Sequence, residues 1–117
     1  MELTEYDKAI LWNLFNADSL RQAPWSQKRY VIYSDSNYRG EIKESTALSL
    51  VAKGVIQPSG LSIKEWKVQI ALGTVENVEL ILTELGALAA TAHTEWSDEF
   101  RKEQIADRLR IDSIEKG

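Results

Sequence analysis

The chain has 117 residues, of which 44% are hydrophobic, and its net charge at pH 7 is −4. This length fits a single domain over residues 1–117 with enough apolar side chains to build a core. The absence of cysteine excludes disulfides, thiolate zinc sites and cysteine nucleophiles. No apolar run is long enough for a membrane span, and the acidic N-terminus does not resemble a signal peptide. A cytoplasmic protein without a membrane partner is expected.

The charged residues are unevenly distributed along the chain. Residues 21–67 carry eight basic and four acidic side chains, whereas residues 1–20 have a net charge of −3 and residues 68–117 have a net charge of −5. An acidic protein can bind phosphate groups if its positive charges gather on one face. The alternative is an ordinary fluctuation of solvated charges, and the sequence leaves both interpretations open.

The first predicted element is an amphipathic helix. Thr4 is a favourable N-cap, Glu5 and Asp7 suit the positive end of the helix dipole, and the helix is expected to end near Ala17. Its apolar residues fall on one arc at helical spacing, with Trp12 beside them. The arc consists of Tyr6, Ile10, Leu11, Leu14 and Phe15.

A connection and a strand pair are predicted next. Residues 20–27 contain Pro24, which disfavours a helix at the residue before it, and Trp25, which is expected to cover the core. Residues 28–34 are β-branched and aromatic and predict a strand, followed by a turn at 35–37. Residues 38–42 then predict a return strand.

The middle of the chain predicts a second helix and a β-hairpin. Residues 43–53 form the helix, and Gly54 is expected to stop it in the left-handed conformation. After a turn at 57–60, residues 65–72 alternate between apolar and polar side chains, which is typical of a half-buried strand. Residues 78–82 are expected to return beside it, so that residues 73–77 form the tip of a wing.

The last part of the chain predicts helices. Thr83 is a candidate N-cap, and Leu85, Leu88 and Trp96 are expected on the buried face of the helix that follows. Ser97 is a second N-cap candidate. Residues 97–116 carry apolar residues on two sides, which favours an oligomerisation helix and a homodimer.

Two short motifs in this chain resemble a known family. The run from Leu50 through Lys53 and Gly54 to Ile56 is similar to the end of the recognition helix in multiple-antibiotic-resistance-type regulators. Residues 82–87, Leu-Thr-Glu-Leu-Gly-Ala, resemble the start of their helix after the wing. The resemblance covers about a third of the chain, and it implies a winged-helix superfamily domain with a DNA-binding ancestry. The helix that normally precedes the recognition helix is replaced here by the predicted strand pair.

The predicted fold is therefore α+β: a winged-helix-like domain with an extra N-terminal strand pair and a helical C-terminus. The predicted core consists of Ile10, Leu14, Val31, Leu48, Val51, Ile56, Val68, Ile70, Leu82, Leu85 and Leu88.

The leading functional hypothesis is a small transcription-regulating protein that binds double-stranded DNA. Helix 43–53 would contact the DNA, and nearby basic residues would contact its phosphates. The candidate residues are Lys43, Ser45, Thr46 and Ser49 on the helix, with Arg29, Arg39, Lys64 and Lys67 for the phosphates.

The alternative hypothesis is a non-enzymatic protein-interaction module on the same scaffold, of phage or other mobile-element origin. Trp12, Trp25 and Trp96 would then be contact candidates, since tryptophan is enriched at binding hot spots. No catalytic residue, metal site or cofactor is predicted, because His93 is the only histidine and no phosphate-binding loop is present.

Overall fold

The computed structural model describes residues 2–16, 19–22, 29–34, 37–73 and 78–116, with the backbone alone at 22, 29, 31–34, 37–39 and 110–116. These residues form an α+β fold of five helices and five strands. In chain order the elements are α1 (Glu5–Phe15), β1 (Ser19–Gln22), β2 (Arg29–Ser34), β3 (Asn37–Lys43), α2 (Glu44–Ala52), β4 (Ile56–Pro58), α3 (Ile63–Leu72), β5 (Glu79–Leu82), α4 (Glu84–Thr91) and α5 (Asp98–Lys116).

The five strands form one antiparallel sheet in the order β3-β2-β1-β5-β4. The predicted strand pair is confirmed as β2 and β3. Strand β1 lies at the centre of the sheet, within a segment that was predicted to be a connection. Its four residues include a single apolar side chain, Leu20, which is fully buried. One apolar residue gives no periodic signal, so the central strand had the weakest pattern in the sequence.

Helix α1 begins as predicted. The Thr4 hydroxyl accepts a hydrogen bond from the Asp7 backbone N–H, and the Asp7 carboxylate accepts one from the Thr4 N–H, which completes a capping box. Ile10, Leu11 and Phe15 are buried in the core.

Residues 65–72 are helical, and the prediction of a strand there was wrong. They belong to α3, which the Ser62 hydroxyl caps by accepting from the Glu65 N–H, and which ends at Gly73 in the left-handed conformation. The alternating apolar pattern also places Trp66 and Ile70 four residues apart, on one face of a helix. Only Trp66 is fully buried on this helix.

The predicted wing was consequently wrong as well. Strand β5 exists, but its partners are β4 on one side and β1 on the other, with Leu80 opposite Pro58 and Leu20. The β4 and β5 strands are antiparallel neighbours, and α3 stands in the connection between them. Of the predicted tip at residues 73–77, Gly73 is the C-cap of α3, and residues 74–77 lie outside the described residues.

Helix α4 begins at the predicted N-cap, because the Thr83 hydroxyl accepts from the Gly86 N–H. Its buried face was predicted wrongly. Leu85 and Leu88 are each 44% exposed, whereas Ala87 and Ala90 lie in the core. Small residues let α4 approach the rest of the fold closely, which turns the leucines outward.

The core prediction holds for about two thirds of its residues. Ile10, Val51 and Ile56 are buried, and four further residues pack half-buried against the core: Leu14, Leu48, Ile70 and Leu82. Val68, Leu85 and Leu88 are exposed, so their prediction was wrong. The side chain of Val31 lies outside the described residues.

The C-terminal helix α5 starts after Ser97, whose hydroxyl accepts from the Phe100 N–H as the second N-cap predicted. Ile105 is buried and Leu109 packs beside it on the core. Because the side chains of residues 110–116 lie outside the described residues, oligomerisation through this helix stays a prediction.

Candidate functional site

The predicted DNA-contacting residues at α2 differ in their solvent exposure. Lys43 and Ser45 are exposed, whereas Thr46 and Ser49 are half-buried. Lys43 and Thr46 line an open depression together with Tyr6 and Glu41. An acidic residue therefore stands beside the only lysine of this depression, which gives the surface a mixed charge.

The other predicted phosphate contacts lie on different elements. Lys64 and Lys67 are exposed on α3. Arg29 is the sheet partner of Lys43, which brings the backbones of β2 and β3 together at that point. The side chains of Arg29 and Arg39 lie outside the described residues.

Two basic residues of the positive segment 21–67 are engaged by acids from other parts of the chain. Lys53 Nζ lies 3.5 Å from the Asp7 carboxylate on α1, and the Arg21 guanidinium lies 3.6 Å from the Glu79 carboxylate on β5. These pairs offset two of the charges that would otherwise attract phosphate. They connect elements of the fold rather than form an anion-binding face.

The residues that carry the family resemblance meet in space. The Thr83 N–H donates to the Val55 carbonyl at 3.1 Å, and the Thr83 hydroxyl donates to the Gly54 carbonyl. A Cβ at Gly86 would stand 1.9 Å from the Val55 carbonyl oxygen, so only glycine fits there. The two motifs thus form one buried junction between the end of α2 and the start of α4. Their observed contacts position the two helices.

Helix α3 presents the most exposed apolar surface in the part of the chain that the structure describes. Leu72 is 70% exposed and Val68 is 51% exposed, and Ile63 is exposed as well. At 100° per residue Lys64, Val68 and Leu72 follow one another along the outer side, opposite Trp66. The strand prediction hid this surface, since it assigned Val68 to the core.

The inner side of α3 places Trp66 beside Tyr30 of the sheet. Both residues are fully buried, and neither the Tyr30 hydroxyl nor Trp66 Nε1 has a hydrogen-bond partner among the described residues. Burial raises the pKa of Tyr30 to about 12, the Glu44 charge adds to that shift, and the neighbouring Trp66 indole acts in the opposite direction. The two groups are neighbours, but their geometry falls short of a hydrogen bond.

The tryptophans considered as contact candidates belong to an aromatic cluster. Trp12 meets the His93 ring edge-on at 4.8 Å, and Trp96 meets the Phe100 ring edge-on at 5.1 Å. The ring centres of Trp12 and Trp96 lie 6.3 Å apart, and both side chains are half-buried. They therefore join α1 to the start of α5 within the same chain. Trp25 lies outside the described residues.

The described residues contain no group of three or more histidine, aspartate or glutamate side chains that could hold a metal ion. None of their helices is long and apolar enough to cross a membrane. Comparison with protein-family models, with curated proteins and with solved structures found no match to this chain.

Proposed function

We propose that this chain is a protein-interaction module that binds an acidic amphipathic segment of another protein through the outer face of α3. The observation that carries this proposal is the exposure of Val68 and Leu72 on one side of a short helix whose other side is anchored by Trp66. Large exposed apolar side chains grouped on one face favour a binding site over ordinary surface. Here we call Lys64, Lys67, Val68 and Leu72 the α3 face.

The chemistry of the partner follows from the charges beside these apolar residues. Lys64 and Lys67 lie on the same side of Val68 around the helix, and neither forms an ion pair with a residue that the structure describes. A segment with leucine-like residues at helical spacing and aspartate or glutamate beside them would bury the apolar side chains and meet both lysines. Glu65 lies at the edge of the face and disfavours acids on that side. The two lysines and Glu65 would therefore select the orientation of the partner segment as well as its negative charge.

A peptide-display selection on the immobilised full chain tests the proposal. We expect enriched sequences to carry two or three large apolar residues at i, i+3 or i+4 spacing with flanking acids. Leu72→Asp should weaken a selected peptide at least tenfold, since it replaces the most exposed apolar side chain of the face with a charge, and a double reversal of Lys64 and Lys67 to glutamate should do the same.

Leu85→Asp is the matched control, because Leu85 is a partly exposed leucine on another helix. It should leave peptide affinity unchanged. Selection of basic or purely polar peptides would contradict the proposal. A homodimer in sedimentation equilibrium that Leu72→Asp abolishes would instead identify a second copy of this chain as the occupant.

The second candidate function is binding of double-stranded DNA by a winged-helix-like protein. It is favoured by the exposure of Lys43, Lys64 and Lys67, and by the motif resemblance at residues 50–56 and 82–87. Arg29, Arg39, Ser45, Thr46 and Ser49 would complete the surface. Fluorescence anisotropy with mixed-sequence duplex DNA at ~50 and ~200 mM salt tests it, because release of counterions predicts a steep loss of affinity. An absence of binding at the lower salt would remove general DNA affinity.

A further inference from the structure

A cavity of about 200 Å³ lies between α1, β5, α4 and α5. Most of its lining residues are apolar. They are Leu14, Phe15, Leu80, Ile81, Leu82, Ala87 and Leu109. Three polar residues complete the wall: Ser19, Glu79 and Arg108.

Arg108 is the unusual member of this lining. Its guanidinium carbon stands 4.4 Å from the centre of the Phe15 ring, and its Nε is buried without a hydrogen-bond partner. Arg108 forms no ion pair with any residue that the structure describes. Arg101 on the same helix also has an unpartnered Nε, but its terminal nitrogens pair with Asp98 and donate to Thr94. A cation–π contact stabilises a guanidinium, but it leaves the N–H donors without an acceptor.

The acid in the same wall is already compensated. The Glu79 carboxylate lies 3.6 Å from the Arg21 guanidinium, which offsets its charge. Among the described residues, the charge that remains without a counterpart at the cavity is therefore positive and belongs to Arg108. A planar guanidinium binds a carboxylate through two parallel hydrogen bonds, and the apolar lining suits the hydrocarbon part of such a molecule.

The volume restricts the size of the occupant. An apolar cavity of about 150 Å³ holds a benzene-sized molecule, and sites for drug-sized ligands begin at about 300 Å³. We propose that this cavity binds a small apolar monocarboxylate of roughly six to nine non-hydrogen atoms, with its carboxylate on Arg108 and its hydrocarbon against Leu14 and Leu82. The site is independent of the α3 face, so each proposal can fail without the other.

Titration of the full chain with hexanoate, followed by two-dimensional amide NMR, tests this site. We expect saturable shifts at the amides of Ser19, Leu82 and Ala87. Hexanol and hexylamine have the same hydrocarbon without the carboxylate, and they should bind at least tenfold more weakly. Arg108→Gln should lower the affinity for hexanoate to that of hexanol and leave hexanol binding unchanged.

Lys102→Gln is the matched control, since it removes one positive charge from an exposed position of the same helix, and it should not alter hexanoate binding. If circular dichroism shows that Arg108→Gln does not fold, Arg108→Lys replaces it in the test. Lysine keeps the positive charge but lacks the two parallel N–H donors of the guanidinium, so we expect a three- to tenfold weaker affinity for hexanoate.

Three results would overturn the proposal: no saturable hexanoate binding, equal affinity for hexanoate and hexanol, or shifts confined to another surface. The second result is also the one expected if Asp112, four residues after Arg108 in the sequence, neutralises the guanidinium in solution.

Discussion

Helices α3 and α4 precede and follow strand β5 in the chain, yet they are attached to the rest of the fold in different ways. Helix α4 packs through small residues, with Gly86 so close to the Val55 carbonyl that no side chain fits between them. Helix α3 is anchored by the fully buried Trp66, with Ile70 half-buried on the core, and leaves Val68 and Leu72 outside. The first contact fixes a helix by its backbone, and the second fixes it by side chains. A helix held by side chains on one face can display an apolar face to a partner, whereas a helix held by its backbone belongs to the scaffold.

The strongest test of this contrast is Gly86→Ala. Its methyl group would stand 1.9 Å from a backbone oxygen, which cannot move as a flexible side chain does. We expect the free energy of unfolding to fall by about 3 kcal/mol, despite the better helix propensity of alanine. Urea denaturation followed by circular dichroism measures this change.

Gly40→Ala is the control, because a Cβ at Gly40 meets nothing within 4 Å and its φ is not positive. It should change stability by no more than about 0.5 kcal/mol. Equal effects of the two substitutions would mean that the α4 junction is not held by close backbone contact.

A second test concerns the anchor of α3. Tyr30→Phe removes a buried hydroxyl that has no hydrogen-bond partner, so the free energy of unfolding at pH 7 should rise by about 1 kcal/mol. Burial raises the pKa of Tyr30 to about 12 in the folded protein, against 10.0 for the free side chain. Between these values the unfolded chain has lost the proton that the folded chain retains, so stability falls as pH increases.

Tyr30→Phe should therefore also remove a loss of about 2–3 kcal/mol that the wild type suffers between pH 10 and pH 12. Tyr6→Phe is the control, since Tyr6 is exposed, and its alkaline profile should match that of the wild type. A destabilised Tyr30→Phe at pH 7 would show that the hydroxyl is bonded in solution.

The smallest effect is expected on the α3 face. Leu72→Ser removes an apolar side chain that is 70% exposed, so urea denaturation should show a change of no more than about 0.5 kcal/mol. The same substitution should weaken binding of the selected peptide. The α3 face would then contribute to binding and not to the stability of the fold. A loss of more than 2 kcal/mol would place Leu72 in the core of the folded protein.

The sequence predicts those elements whose signals are local. The capping residues Thr4, Thr83 and Ser97 each mark a helix start, and Gly54 marks a helix end with its positive φ. The β2–β3 pair also follows from local composition. These features depend on residues a few positions apart, so no knowledge of the tertiary structure is needed.

The remaining features depend on contacts between distant residues. The alternation in α3 suits a strand, and the helix is favoured by its cap and by the pocket that Trp66 fills against Tyr30. The outward leucines of α4 follow from the close approach of Gly86 to Val55, which periodicity cannot show. The cavity at Arg108 joins α1, β5 and α5, and its charge balance depends on the pairing of Glu79 with Arg21.

The strand order has a consequence for how this chain reaches its fold during synthesis. Strand β1 lies at the centre of the sheet, but the strand beside it, β5, comes from the last third of the chain, with Leu20 opposite Leu80. While the ribosome is still making the middle of the protein, the β1–β2–β3 meander has an open edge at β1, which β5 covers in the finished sheet. Such an edge can pair with other chains, and contacts between distant residues form slowly. Premature termination before residue 79 would therefore release a chain that aggregates through β1.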